Sequence, residues 1–339
     1  MSAGAEVRVP GSTSNLGAGF DCVGVAVDRW LTLTATIDPD GGEPVRLRRA
    51  GTLAGLTVAA EHDRIVAAFR AACREAGRAF PDGLSIRATS DIPVARGLGS
   101  SAAATVAGAA AANALLRLGF DDQALIELCA ALEGHPDNVV PAVHGGATLA
   151  VSGEPRRGTD TGGRVLVTAP IELHDDLALA LAVPDFEVET SYMRAVLPAS
   201  VPHAVAARAA ALAAALVAGL TSGHPGLLEH ALEDVLHVPF RRELVPGYDA
   251  VVAAAREAGA FGATLSGSGS SLCAVTPRDS VHEVAAAMCA AWTAIGIRAD
   301  AIACDAPAAG YSVAAHRESE LSAPGAIRYT PDSTTTRRG

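Results

Sequence analysis

Between Asp91 and Ala104 the chain reads Asp-Ile-Pro-Val-Ala-Arg-Gly-Leu-Gly-Ser-Ser-Ala-Ala-Ala, which sets Gly97, Gly99, Ser100 and Ser101 just before an alanine-rich run. That run, 100–118, has high helix propensity, so the glycines and serines fall where a helix begins. The first N–H groups of a helix lack intrahelical partners and carry the positive end of its dipole, a combination that favours a phosphate. Glycines let the main chain approach such an anion, and serine hydroxyls donate to it or ligate Mg²⁺. Taken alone, the loop also reads as an ordinary helix cap. It is not a Walker A loop, because Gly99 and not Lys precedes Ser100. It formally matches a dinucleotide fingerprint, yet the preceding strand ends near Ala88 and no acidic residue closes a second strand about 20 residues on.

Elements are needed to hold these residues. Stretches 6–9 and 31–37 alternate apolar and polar residues and read as strands joined by a loop rich in Gly, Ser and Asn. Helical spacing covers 62–77, 84–88 is a strand, and a helix over 121–133 ends at Gly134-His135-Pro136-Asp137-Asn138. The stretch 153–163, with Pro155, is expected to be a solvent loop and the domain boundary, giving units at 1–160 and 161–310. Beyond it 177–183 is an apolar strand, and 203–220, 225–236 and 249–258 are helices. Strands at 263–265 and 272–275 flank Ser266-Gly267-Ser268-Gly269-Ser270-Ser271. Strands and helices that do not alternate strictly indicate an α+β protein of two lobes. The polar tail 317–339 is expected to be disordered.

With 50% apolar and 19% charged residues, the 339-residue chain has ample material for one or two cores. No apolar run is expected to reach the ~20 residues of a spanning helix, and the first residues lack the pattern of a signal peptide, so a cytoplasmic protein is expected. The net charge of −11 argues against a nucleic-acid surface and leaves room for a local basic pocket. Cys22, Cys73, Cys129, Cys273, Cys289 and Cys304 form no CxxC pair and are expected to be buried thiols.

Three segments in fixed order resemble the three motifs of the GHMP kinases: Pro10-Gly11-Ser12-Thr13-Ser14-Asn15-Leu16-Gly17-Ala18-Gly19-Phe20-Asp21, then 93–103, then Gly262-Ala263-Thr264-Leu265-Ser266-Gly267-Ser268-Gly269. Within that superfamily, 15–21, 133–138 and Pro239-Phe240-Arg241 with Leu244, Pro246 and Gly247 are similar to the homoserine kinases. The resemblance, over about 7–304, implies a GHMP kinase fold. Its N-terminal lobe would be like ribosomal protein S5 domain 2, its C-terminal lobe ferredoxin-like, with the active site between them. It implies ATP and Mg²⁺, with L-homoserine as phosphoryl acceptor, and by family analogy a homodimer. A different small hydroxylated acid as acceptor, or a catalytically silent relative, stays open.

Homoserine is a zwitterion, so its site needs a cationic clamp at one end and acidic or amide groups at the other. By resemblance Arg194 and Arg241 form the clamp, while Asn15, Asp21 and Asp137 bind the amino group and hydroxyl. ATP falls to Pro93, Arg96, Gly97, Leu98, Gly99, Ser100, Ser101, Ala102 and Ala103, and the third motif supplies Ser266, Gly267, Ser268 and Gly269. Mg²⁺ falls to Ser100, Ser101 and Glu133. Glu133 ends a helix, where the dipole disfavours an anion and calls for a compensating cation. Asn138 stands where several relatives carry a catalytic Asp. An amide is no base, so Asn138, Asn15 and Asp21 are expected to position the hydroxyl without taking its proton. His135 reads as structural, and Asn15 and Asp21 read alternatively as loop-stabilising Asx residues. The sequence departs from the family at Gly11, Ala18, Ser270-Ser271 and above all Arg64, where an Asn near the adenine pocket is usual.

Overall fold

Val7 and Val9 are buried while Arg8 between them is exposed, the alternation that makes the first part of β1 (Ala3–Ser14) one-sided, whereas 9–14 are buried throughout. In the computed structural model, which describes residues 3–38, 43, 45–153 and 165–317, β1 continues past Val9 through the stretch that composition marks as a loop. It does so because those residues pair with β2 (Val23–Ile37), as far as Ser14 opposite Gly24. Strand alternation then puts Ser12 and Ser14 on one face.

β3 (Val45–Gly51) lies parallel to β4 (Leu84–Ser90), with the crossover helix α1 (Arg64–Glu75) between them in sequence. Asp63 caps α1 by accepting from the Ile65 N–H at 2.8 Å. The helices α2 (Ser100–Leu116), α3 (Asp122–Glu133) and α4 (Val139–His144) follow. β5 (Ala147–Gly153) pairs with both β2 and β6 (Val165–Ile171). The division expected at 160 thus falls between two partnered strands of one sheet, and residues 154–164 themselves lie outside the described residues.

The second lobe opens with β7 (Leu177–Pro184), then α5 (Thr190–Ala195), α6 (His203–Ser222), α7 (Pro225–Ala231), α8 (Val238–Arg241) and α9 (Tyr248–Glu257). β8 (Gly262–Leu265), β9 (Leu272–Pro277), α10 (Val281–Thr293) and β10 (Ala299–Cys304) complete it. Its antiparallel sheet has the order β10-β7-β9-β8, that of a ferredoxin-like lobe. β11 (Ser312–Arg317) then returns to the first sheet, β11-β1-β2-β4-β3, beside β1. The tail expected over 317–339 lies outside the described residues from 318 on.

β7 is buried along its whole length, and its alternation joins the lobes. Leu177, Leu179, Leu181 and Val183 enter the core under the first sheet, whereas Ala178, Ala180 and Ala182 pack with Leu265, Met288 and Trp292 in the second. α6, with 20 residues, is long and apolar enough to cross a membrane by length and composition, against the expectation that no run would be. It carries Arg208, and its Leu216 and Leu220 are buried.

Candidate active site

The three motif loops meet where α2 begins. Gly97 (φ 75°) and Gly99 (φ 67°) are left-handed, and a Cβ on them would stand 2.0 Å from the Ser266 carbonyl oxygen and 2.2 Å from Ser12 Oγ. Only glycine allows the loops this close. The Ser12 N–H donates to the Leu98 carbonyl (3.1 Å) and the Gly267 N–H to the Ser14 carbonyl (2.8 Å). Ser266 Oγ donates to the Gly97 carbonyl (2.7 Å). The loops border a cavity of about 370 Å³. Pro93, Arg96, 97–102, Gly267 and Ser268 line it, together with Asn15, Glu133, Asp137, Asn138, Arg194 and Arg241. Ala103, Ser266, Gly269 and Asp21 do not. Arg96 serves as a brace: its Nε donates to the Pro184 carbonyl (2.9 Å) at the end of β7, and it pairs with Glu187 at 2.9 Å.

At the C-terminal end of α3 the Glu133 carboxylate, 5% exposed, accepts from Ser101 Oγ (2.7 Å) and Thr105 Oγ1 (2.7 Å). The compensating cation is Arg64, whose Nη1 lies 2.9 Å from Glu133. The residue that departs from the family pattern therefore lines the cavity where α2 begins. Among the described residues no group of three or more His, Cys, Asp or Glu is placed to hold a metal. One carboxylate with hydroxyls beside it is a hard-oxygen set that suits Mg²⁺ when phosphate oxygens complete the shell.

Asp137 is buried, with one oxygen 2.6 Å from His135 Nδ1 and the other, Oδ2, without a hydrogen-bond partner among the described residues. Burial would raise Asp137, but the His135 hydrogen bond and charge outweigh it and hold the carboxyl below its usual range. Burial would likewise lower His135, and Asp137 outweighs it, leaving the imidazole above its ordinary value. His135 is thus the partner that keeps Asp137 ionised. A raised histidine contributes stability present below its unfolded pKa of about 6.5 and lost as pH rises through the folded value. A double-mutant cycle with His135→Gln and Asp137→Asn is expected to give a larger coupling at about pH 6 than at about pH 9. Equal couplings would contradict the charged pair.

The Asn138 amide is held on both sides, its Oδ1 accepting from Ser12 Oγ (2.9 Å) and its Nδ2 donating to Ser14 Oγ (2.9 Å). Asn15 (φ 58°) is engaged too: its Oδ1 accepts from the Asp21 N–H (2.7 Å) and its Nδ2 donates to the Gly267 carbonyl (3.0 Å). Those bonds are those of a loop-stabilising Asx residue.

Asp21 faces Arg194, accepting from Nη2 at 3.0 Å and Nη1 at 3.3 Å, both side chains being partly exposed. Arg241 is 1% exposed, and its Nε donates to the Met193 carbonyl (2.9 Å). Burial, and next the Arg194 guanidinium, bring Arg241 down to about 10. A buried guanidinium whose charge is disfavoured in this way forms a site that an anion relieves. Arg242, beside Arg241, pairs instead with Asp249 at the surface (2.9 Å).

Sequence reasoning missed Thr105, the roles of Ser12 and Ser14, and the buried His237 and Asp234. Thr105 lies four residues after Ser101, so helical spacing could have found it. Nothing local marks His237.

The family model of the GHMP kinases N terminal domain matches residues 63–146, and that of the GHMP kinases C terminal domain matches 204–294. Homoserine kinase of Trichormus variabilis is 39% identical over 301 residues, 86% of this chain and 93% of that protein. Homoserine kinase of Gloeobacter violaceus is 40% identical over 295 residues, 84% and 92% of the two chains. The crystal structure of homoserine kinase from Cytophaga hutchinsonii superposes with a TM-score of 0.79 at 29% identity, covering 92% of this chain and 97% of that one.

Proposed function

The chain belongs to the GHMP kinases, and from that premise we infer that it transfers the terminal phosphoryl group of ATP to the side-chain hydroxyl of L-homoserine, giving O-phospho-L-homoserine on the way to threonine. One observation carries the choice of acceptor. A buried, ionised Asp137 with an unpartnered oxygen and a buried Arg241 disfavoured by Arg194 border the same cavity, a pattern suited to an ammonium at one end and a carboxylate at the other.

The start of α2 offers its free N–H groups to the phosphates, and Gly97 and Gly99 let the backbone approach them. Glu133, with Ser100 and Ser101, is the group we assign to Mg²⁺, which when bound neutralises charge on the phosphate oxygens. In its presence Arg64 has to share or yield the carboxylate. The acceptor hydroxyl needs no dedicated base, because a loose phosphoryl-transfer transition state asks little prior deprotonation of the nucleophile. Catalysis then rests on position, and the Ser12–Asn138–Ser14 bonds fix the orientation of the Asn138 amide in the cavity wall.

An ADP-release assay with L-homoserine, mevalonate, galactose and shikimate is expected to respond to homoserine alone; no release with homoserine would sink the reading. Asn138→Ala is expected to lower turnover by about a hundredfold, as loss of positioning does. Asn138→Asp should retain part of it, since a carboxylate accepts from both serines but sits beside Asp137. Near-wild-type rates for both variants would count against positioning.

A further inference from the structure

Among the described residues Arg241 is the one arginine in the set of largest fully buried side chains, and a buried guanidinium presents five donors that need acceptors or an anion. Nε has the Met193 carbonyl; Nη1 faces His237 Nδ1 at 3.4 Å. His237 has no exposed surface, and its Nε2 lies 3.3 Å from the Gly17 carbonyl. A carbonyl only accepts, so Nε2 carries the proton and Nδ1 presents its lone pair to Arg241. Burial holds His237 below its ordinary value although Asp234 pulls the other way, so the imidazole is neutral and able to accept. Its ring stacks on Phe20 at 5.0 Å, and the Arg241 guanidinium lies 5.3 Å over the same Phe20 ring. Asp234 Oδ2 fixes the turn by accepting from the N–H groups of His237 and Val238 (2.6 and 2.7 Å).

We propose that His237 is a positioning residue that latches the Arg241 guanidinium to the first-motif loop, through Gly17 on one side of its ring and Arg241 on the other, and so aims the arginine at the carboxylate of the acceptor. The proposal rests on the reading of Arg241 as the carboxylate clamp. Two further features fit it. Gly17 itself packs closely, since a Cβ there would stand 2.4 Å from the Ala231 carbonyl oxygen, and the next N–H, of Ala18, donates to that oxygen at 2.9 Å. The same short segment, 234–241, holds the anchor, the latch and the arginine, which lets one turn set all three.

The test compares His237→Asn with His237→Gln, both confirmed folded by thermal melting. Asparagine puts its oxygen where Nδ1 stands and keeps the acceptor for Arg241; glutamine reaches the Nε2 side and keeps only the bond to Gly17. His237→Gln is expected to raise KM for L-homoserine about tenfold, the loss of one hydrogen bond to a charged group, with KM for ATP within about twofold. His237→Asn keeps the Arg241 end but gives up the Gly17 end, so a smaller rise for homoserine, about threefold, is expected, again with KM for ATP within about twofold. Wild-type KM values for homoserine in both variants, or parallel rises for homoserine and ATP, would overturn the latch. Arg241→Met is the control: an unchanged KM for homoserine there removes the clamp reading and the latch with it, whereas a large rise with an inert His237→Gln removes the latch alone.

Discussion

Asp137→Asn is expected to lower kcat/KM for L-homoserine by about a thousandfold, while nucleotide affinity stays within about twofold. The reason is the environment of the carboxylate. It is 1% exposed, one oxygen is held by His135 at 2.6 Å, and the other has no hydrogen-bond partner among the described residues. Leaving such an oxygen unsatisfied is costly, and a substrate ammonium satisfies it. The amide keeps the volume and can still accept from His135, so the variant removes charge more than shape. Truncating one member of a buried charged pair costs about 2–5 kcal/mol, which spans the predicted loss. Steady-state kinetics with homoserine and calorimetric titration with ADP read the two effects separately. A loss below about tenfold would show that Asp137 does not bear the substrate's charge. An equal loss of ADP affinity would show that it shapes the whole cavity instead.

Gly97→Ala should act at the other end of the site and by a different route. An L side chain at φ 75° costs about 1–2 kcal/mol, and the added Cβ would meet the Ser266 carbonyl oxygen at 2.0 Å. Backbone must shift, because that oxygen belongs to the third motif and not to a flexible side chain. We expect folding stability to fall by about 2–4 kcal/mol in denaturant titration, adding overpacking to the dihedral cost. We also expect kcat/KM to fall by at least about a hundredfold, since displacing the start of α2 by an ångström moves every donor that faces the phosphates. Gly55→Ala is the control, as nothing lies within 4 Å of its would-be Cβ. An active, stable Gly97→Ala variant would mean that the three loops need not touch.

Much of the site was legible in the chain because its signals are local. Glycines before a serine pair at the head of a poly-alanine run announce a helix start with open N–H groups, and α2 begins at Ser100. A continuous apolar run announces a strand buried on both faces, and β7 is buried throughout. Where the reading fell short, composition misled it. Pro10 to Ser14 looks like loop, yet it is strand because β2 offers it partners, a fact about residues 24–30. The boundary at 160 looked like a linker because 153–163 is polar, although the strands on either side of it pair with each other. The resemblance assigns Arg96 to ATP; it lines the cavity, and its guanidinium also braces the end of β7, which no local signal shows.

The sequence by itself determined the local chemistry: which residues tolerate a positive φ, which hydroxyls and carboxylates are available, and which motifs occur in which order. Only the tertiary structure decided their partnerships. Asn138 with Ser12 across 126 positions, Glu133 with Arg64 across 69, and His237 with Gly17 across 220 have no local trace. Nor does the burial that keeps His237 neutral and brings Arg241 down. The physical reason is that a desolvated group takes its charge state and aim from everything packed around it, and that surrounding exists only once distant segments have closed upon one another.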